Sequence, residues 1–115
     1  MSRTPQELVA SAQQHLRVLH EHLTRGDMDD ATIFDAVCMR LAAAIESLGA
    51  IDDALRDQAF GSSWPAIWSV RNRIAHGYVI IDRQIIVSTV DHDLPEFEEK
   101  IEYLSRFVSG EGGDA

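Results

Sequence analysis

Apolar residues recur along this chain at spacings of three and four, the period of a helix with one buried face. Leu8, Ala12, Leu16, Leu19 and Leu23 form the first such stripe. Ahead of it, Thr4-Pro5-Gln6-Glu7 reads as a helix start. Thr4 can cap, proline suits the first helical position, and Glu7 completes a capping box. Gly26 is expected to end this helix. An acidic link from Asp27 to Asp30 leads into a second helix over about Ala31–Ile51. Its core face is predicted to be Phe34, Val37, Leu41, Ala44, Ile45 and Leu48. Gly49 is a weak point near its end, and a short helical piece around Asp52–Gln58 follows or continues it.

Phe60-Gly61-Ser62-Ser63 is a loop by composition. Ser63 is expected to cap a third helix, with Trp64 and Pro65 in its first turn. That helix runs through Ile67, Val70 and Ile74 and frays or stops at Gly77. Val79-Ile80-Ile81 and Ile85-Ile86-Val87 have the β-branched make-up of strands. Two isolated strands would make a poor sheet, so the reading is a link and a short helix capped by Asp82. Asp93-Leu94-Pro95-Glu96 opens the last helix, with Phe97, Ile101, Leu104 and Val108 on its apolar face. The fold class is therefore all-α, an antiparallel four-helix bundle with an additional short helix. One domain spans residues 1–115, with an ordered core over about 4–108 and a flexible, glycine-rich tail over 109–115.

Composition narrows the possible partners. Apolar residues make up 45% of the chain, enough for a real core. Nineteen acids against 10 bases give a net charge of -9. That excludes a bulk electrostatic grip on nucleic acid, so any RNA contact must be local and no DNA partner is expected. The lone Cys38 cannot make an intrachain disulfide, which fits a reducing cytoplasm. It lies in an apolar helical stretch with no histidine near it in sequence, so a small core residue is favoured over a catalytic thiol. The N-terminus gives no sign of a signal peptide, and no 18-residue apolar run exists to span a membrane.

The chemistry gathers in Arg71-Asn72-Arg73-Ile74-Ala75-His76-Gly77-Tyr78. Guanidiniums hold phosphates by charge-assisted, bidentate hydrogen bonds, and an imidazole moves protons near neutral pH. From Arg71 to Arg83 there are three arginines and one acid, Asp82. Asn72 and His76 are four apart and share a helix face, so Asn72 can hydrogen-bond the imidazole and fix its tautomer. Arg71 and His76 are separated by about 140° around an ideal helix. They converge on one atom only if the helix opens near Gly77 or a second copy completes the site. A two-fold dimer would supply that copy. The structural alternative is a buried helix end with a satisfied histidine and two arginines paired with surface acids. Arg73 and Arg83 are the residues most readily assigned to plain surface.

Arg71-Asn72-x-x-x-His76-x-Tyr78 resembles the signature of the HEPN superfamily, specifically its HepT-like toxin branch. Trp64 upstream, a mid-helix Glu46 and the Asp93-Leu94-Pro95 helix start resemble that branch too. The resemblance covers roughly Thr4 to Val108. It implies a HEPN-like helical fold and a metal-independent ribonuclease working as a homodimer, with no cofactor. The partner it implies is a minimal nucleotidyltransferase antitoxin of the HEPN/MNT type. By resemblance Arg71 and His76 are catalytic, and Tyr78 is the residue the antitoxin modifies with AMP.

Other residues add less. His15 and His22 are seven apart, about 10 Å along a helix axis, too far for one metal. His20 and His92 read as surface, so no metal site is expected. Trp64 and Trp68 share a face, with core packing favoured over base stacking. Glu46 can pair with Arg71 or Arg73, and Asn72 and Arg73 can support the site; a solvated Glu46 is nearly as good a reading. Three functions stay open. The first is an endoribonuclease toxin with His76 as general base and Arg71 bracing the phosphate. The second is a non-catalytic helical partner that presents a substrate or nucleotide to a nucleotidyltransferase. The third is a plain dimeric scaffold.

Overall fold

The Glu7 N–H donates to Thr4 Oγ1 at 3.1 Å, and the Thr4 N–H donates to Glu7 Oε1 at 2.9 Å. The capping box thus forms, and α1 (Pro5–Leu23) grows from it. The carboxyl of Glu7 is held below its ordinary pKa range, first by the backbone and then by the hydroxyl of Thr4. The structure, a computed structural model, describes residues 3–77 and 82–110. Every regular element among them is helical.

The α1 stripe buries Leu8, Ala12, Leu16 and Leu19, and Leu23 packs at the edge. Gly26 does not end the helix. The Thr24 hydroxyl donates to the Glu21 carbonyl at 2.6 Å and its N–H turns back on His20 and Glu21, so threonine closes the last turn three residues after Glu21. Helix α2 (Ala31–Gly49) starts on Asp30, whose carboxylate accepts from the Thr32 and Ile33 N–H groups. All six predicted core positions of α2 are buried. It stops at Gly49, short of Ile51, because Asp52 begins a separate short helix, α3 (Asp53–Ala59).

Helix α4 (Trp64–Ala75) begins where expected, but Ser63 does not cap it. Ser63 sits in a single 3₁₀ turn with helical backbone angles, and its hydroxyl donates to the Phe60 carbonyl at 2.6 Å. Helix α5 (Arg83–Ser88) takes the β-branched run Ile85-Ile86-Val87, with Ile86 fully buried. Asp82 does not cap α5, because its carboxylate is paired with Arg73 at 3.1 Å. Val79-Ile80-Ile81, read as a link, lies outside the described residues. Thr89–Asp93 forms a π turn that runs straight into α6 (Leu94–Val108). The chain arrives at Leu94 already wound, so Asp93 has no free N–H groups to cap.

The long helices α1, α2, α4 and α6 make the bundle, with α3 and α5 as short pieces. Helices α1 and α2 pack most extensively; α4 lies on α2, and α6 lies on α1 and α3. Leu19, Leu41, Ile45, Leu48, Ile101 and Leu104 fill the centre. Arg83 is not plain surface. Its guanidinium lies 4.3 Å from the Phe34 ring centroid and donates to the Met28 carbonyl, fastening the start of α5 to the α1–α2 link. Helix α4 is the exception in this packing, since none of its twelve residues is buried.

Removing Leu104, which is 0% exposed, should cost about 2–5 kcal/mol in a Leu104→Ala variant. Thr4→Ala should cost about 1 kcal/mol through the lost cap. Urea denaturation of both variants beside wild type checks the order; equal losses would contradict the core assignment.

Candidate functional site

Helix α4 carries the motif and ends inside it. The backbone N–H of His76 donates to the Asn72 carbonyl at 2.9 Å, and Gly77 follows with φ +75°. A left-handed residue just past the last turn is a glycine-favoured helix stop. His76 is the C-terminal cap of α4, and it is exposed. The expected opening of the helix near Gly77 is present at this point. Tyr78, the next residue, lies outside the described residues.

Arg71 faces α2. Its Nη2 donates to Glu46 Oε1 at 2.8 Å and its Nη1 to Asn72 Oδ1 at 3.2 Å. The Arg71 guanidinium carbon lies 4.9 Å from the Trp68 ring centroid. Its Nε is buried with no hydrogen-bond partner, although the side chain as a whole is 25% exposed. Glu46 is half exposed, so the ion pair adds only about 0–1 kcal/mol. A pair this weak orients the guanidinium without fixing it strongly. Arginine presents five N–H donors in one plane, of which this pair and the bond to Asn72 use two.

The sequence-predicted residues separate into groups. Glu46, Arg71 and Asn72 come together between α2 and α4. Asn72 Oδ1 accepts from Arg71, and its main-chain carbonyl accepts from the His76 N–H. Arg73 is held elsewhere, with Nη1 on Asp82 and Nε donating to Ser69 Oγ at 3.4 Å. It ties α4 to the start of α5.

Two residues of this site were not legible as site residues. Trp68 was read as core packing; it does pack against the core, and it also lies under Arg71 with part of it exposed. The available signal was its position three residues before Arg71, which puts both on one face. Gly49 was read as a weak point in α2. It is where Trp68 of α4 lies directly against α2: a Cβ there would meet Trp68 Cζ3 at 2.6 Å. No sequence feature of α2 announces that contact.

The other candidates stay outside the site. His20 Nε2 lies 3.0 Å from Glu98 and joins α1 to α6, so it is not simply solvated. His15 lies 3.1 Å from Arg40, and burial, then Arg40, lower its pKa. Among the described residues, no three His, Cys, Asp or Glu side chains are grouped to hold a metal ion. Cys38 is buried, and burial pushes its thiol up to about 11, the behaviour of a core residue and not of a reactive thiolate. No helix among the described residues is long and apolar enough to cross a membrane.

Between α2 and α4 there is thus one planar cation on a carboxylate and a carboxamide, with an exposed imidazole at the end of the same helix α4. No curated protein and no solved structure matches the chain at a significant level. The family model described as "Ribonuclease HepT-like" matches residues 7–104, a span that runs from the first turn of α1 into α6 and contains the motif up to Tyr78. The arrangement at the end of α4 thus sits in a frame of known kind, and the chain belongs to the HepT-like ribonuclease family.

Proposed function

We propose that this protein is a metal-independent endoribonuclease toxin that cuts RNA at the end of α4. The observation that supports this most directly is the arrangement of Arg71, oriented by Glu46 and Asn72, one helical turn from an exposed His76. His76 takes the proton of a ribose 2′-OH, and the freed oxygen attacks the adjacent phosphorus. Arg71 leaves Glu46 for the phosphate and stabilises the charge that builds on it. The bond to the 5′ oxygen breaks, that oxygen is protonated, and the products are a 2′,3′-cyclic phosphate and a 5′-OH. The net charge of -9 confines RNA contact to this local patch.

The working unit in this reading is a homodimer with the two α4 helices near its axis. Trp64, Ile67, Trp68, Val70 and Ile74 are all only partly buried, which leaves an apolar face for a second copy. An open groove of about 250 Å³ beside α4, lined by Leu41, Ile45, Ile67, Val70, Leu94 and Phe97, adds to that face. The proposed regulator is a minimal nucleotidyltransferase antitoxin. It transfers AMP from ATP to the Tyr78 hydroxyl and releases pyrophosphate. The added phosphodiester places negative charge where RNA phosphate must bind.

Purified protein should cleave RNA in excess EDTA, and His76→Ala should lower the rate by roughly 10²–10⁴-fold. Arg71→Ala should do similar damage, and Arg71→Lys should not restore full activity, because lysine lacks the planar fork. A His76→Ala protein cutting at the wild-type rate would overturn the mechanism and favour a non-catalytic partner of a nucleotidyltransferase.

Light scattering at micromolar concentration should give the mass of a dimer. A monomer that still cleaves RNA would remove the shared-site reading.

Tyr78→Phe should remain a nuclease and escape the antitoxin. Mass spectrometry after incubation with a cognate nucleotidyltransferase and ATP should show AMP on wild type and none on the variant. Modification at another residue would sink this regulation.

A further inference from the structure

The guanidinium of Arg71 is fixed by more than its two hydrogen bonds. One face of it rests on the Trp68 indole. That indole lies against Gly49, the last residue of α2, so closely that any Cβ there would collide with it at 2.6 Å. Gly49 has no positive φ, so glycine is needed for space and not for backbone conformation. The Trp68 ring also packs on Trp64, with centroids 5.9 Å apart and planes at 33°. Trp64 in turn carries the Arg56 guanidinium, 4.6 Å from its centroid.

Arg56 closes the arrangement. It is 8% exposed, the one buried charged residue of the fold among the described residues. Its Nη1 donates to the carbonyls of Gly49 at 3.3 Å and Ile51 at 2.9 Å, and its Nη2 pairs with Asp53 at 2.6 Å. A cation on the last carbonyls of α2 is well placed for that helix end. The same residue thus holds the Gly49 carbonyl and supports Trp64. Arg56, Trp64, Trp68 and Arg71 form a stack that runs beside the last turn of α2. Glu46, one turn earlier on α2, meets Arg71 at the far end of it.

We propose that Trp68, seated on Gly49, is a positioning residue for Arg71. It sets the plane of the guanidinium while Glu46 and Asn72 hold its nitrogens, and Gly49 sets the height of the ring. The hydrogen bonds to Glu46 and Asn72 fix where the nitrogens lie but leave rotation about the side chain open. A flat ring beneath the guanidinium removes that freedom. The catalytic consequence rests on the ribonuclease reading above, while the positioning itself does not.

The test has two readouts. The first is nuclear magnetic resonance of the Arg71 Nε–H, which is buried without a partner and should exchange slowly with water in wild type. Exchange should speed up in Trp68→Leu and Gly49→Ala and stay slow in Trp68→Phe, which keeps a flat ring. The second is a mutant cycle on RNA cleavage, run well below each protein's melting temperature. Trp68→Leu should lower kcat/KM by about tenfold or more when Arg71 is present, since small misplacements of a catalytic group are costly. In an Arg71→Ala background the same change should cost no more than about twofold, because coupled residues are not additive. A general loss of structure would instead give equal losses in both backgrounds and would overturn the proposal. So would Arg71 Nε–H exchange that is the same in wild type, Trp68→Leu and Gly49→Ala. Should wild type fail to cleave RNA, the ribonuclease reading falls, and the exchange rates alone decide the positioning. Should Trp68→Leu fail to fold, Gly49→Ala and Trp68→Phe carry both readouts.

Discussion

The close approach of α4 to α2 is the constraint on which the site depends. The Trp68 indole occupies the space a side chain at Gly49 would fill. The surroundings of Arg71 follow from that contact. It brings α4 near enough for Arg71 to reach Glu46, and it leaves the guanidinium beside an aromatic face. A cation over an indole is worth roughly 0.5–1 kcal/mol at an exposed site, about as much as the half-exposed ion pair itself. Neither contact dominates. Together they restrain a flexible side chain in both position and plane, while each remains weak enough to be exchanged for a ligand.

The bundle divides into a part that holds and a part that works. Helices α1, α2 and α6 bury continuous apolar stripes and provide most of the core. Helix α4 buries no residue completely, although it carries five large apolar side chains against the core. Its place is kept by specific polar and aromatic contacts: Arg73 to Asp82, Arg71 to Glu46, and the aromatic stack ending at Arg56. A helix held this way can present charged groups at its exposed end, where a fully packed helix would have to bury them at a cost. The half-covered apolar face is also what a second copy of the chain would need.

The histidines illustrate how context sorts similar residues. His15 lies beside a guanidinium, and burial with that neighbour disfavours its charged form. His20 lies beside a carboxylate and links two helices. His76 stands at the end of α4, exposed, next to a left-handed glycine and five residues from an oriented arginine. In the proposed reaction, proton transfer from a bound RNA requires that exposure as much as it requires an imidazole.

By itself the sequence determined the helices and the motif. The three-and-four spacing of Leu8 to Leu19, of Phe34 to Leu48 and of Phe97 to Leu104 marks the buried faces, because a helix repeats its environment with its own period. The Thr4–Glu7 capping box is equally local and forms as its residue types require. Helix ends were less legible, because the deciding groups lay elsewhere. Thr24 displaced Gly26 through a carbonyl bond, and Asp82 was taken by Arg73 from α4 before it could cap α5. Tertiary structure alone decided the surroundings of the motif. Glu46 and Arg71 are twenty-five residues apart, and only packing of α4 on α2 joins them. Gly49 and Trp68 also lie far apart along the chain, and their contact depends on interhelix distance, which no pattern along one helix encodes.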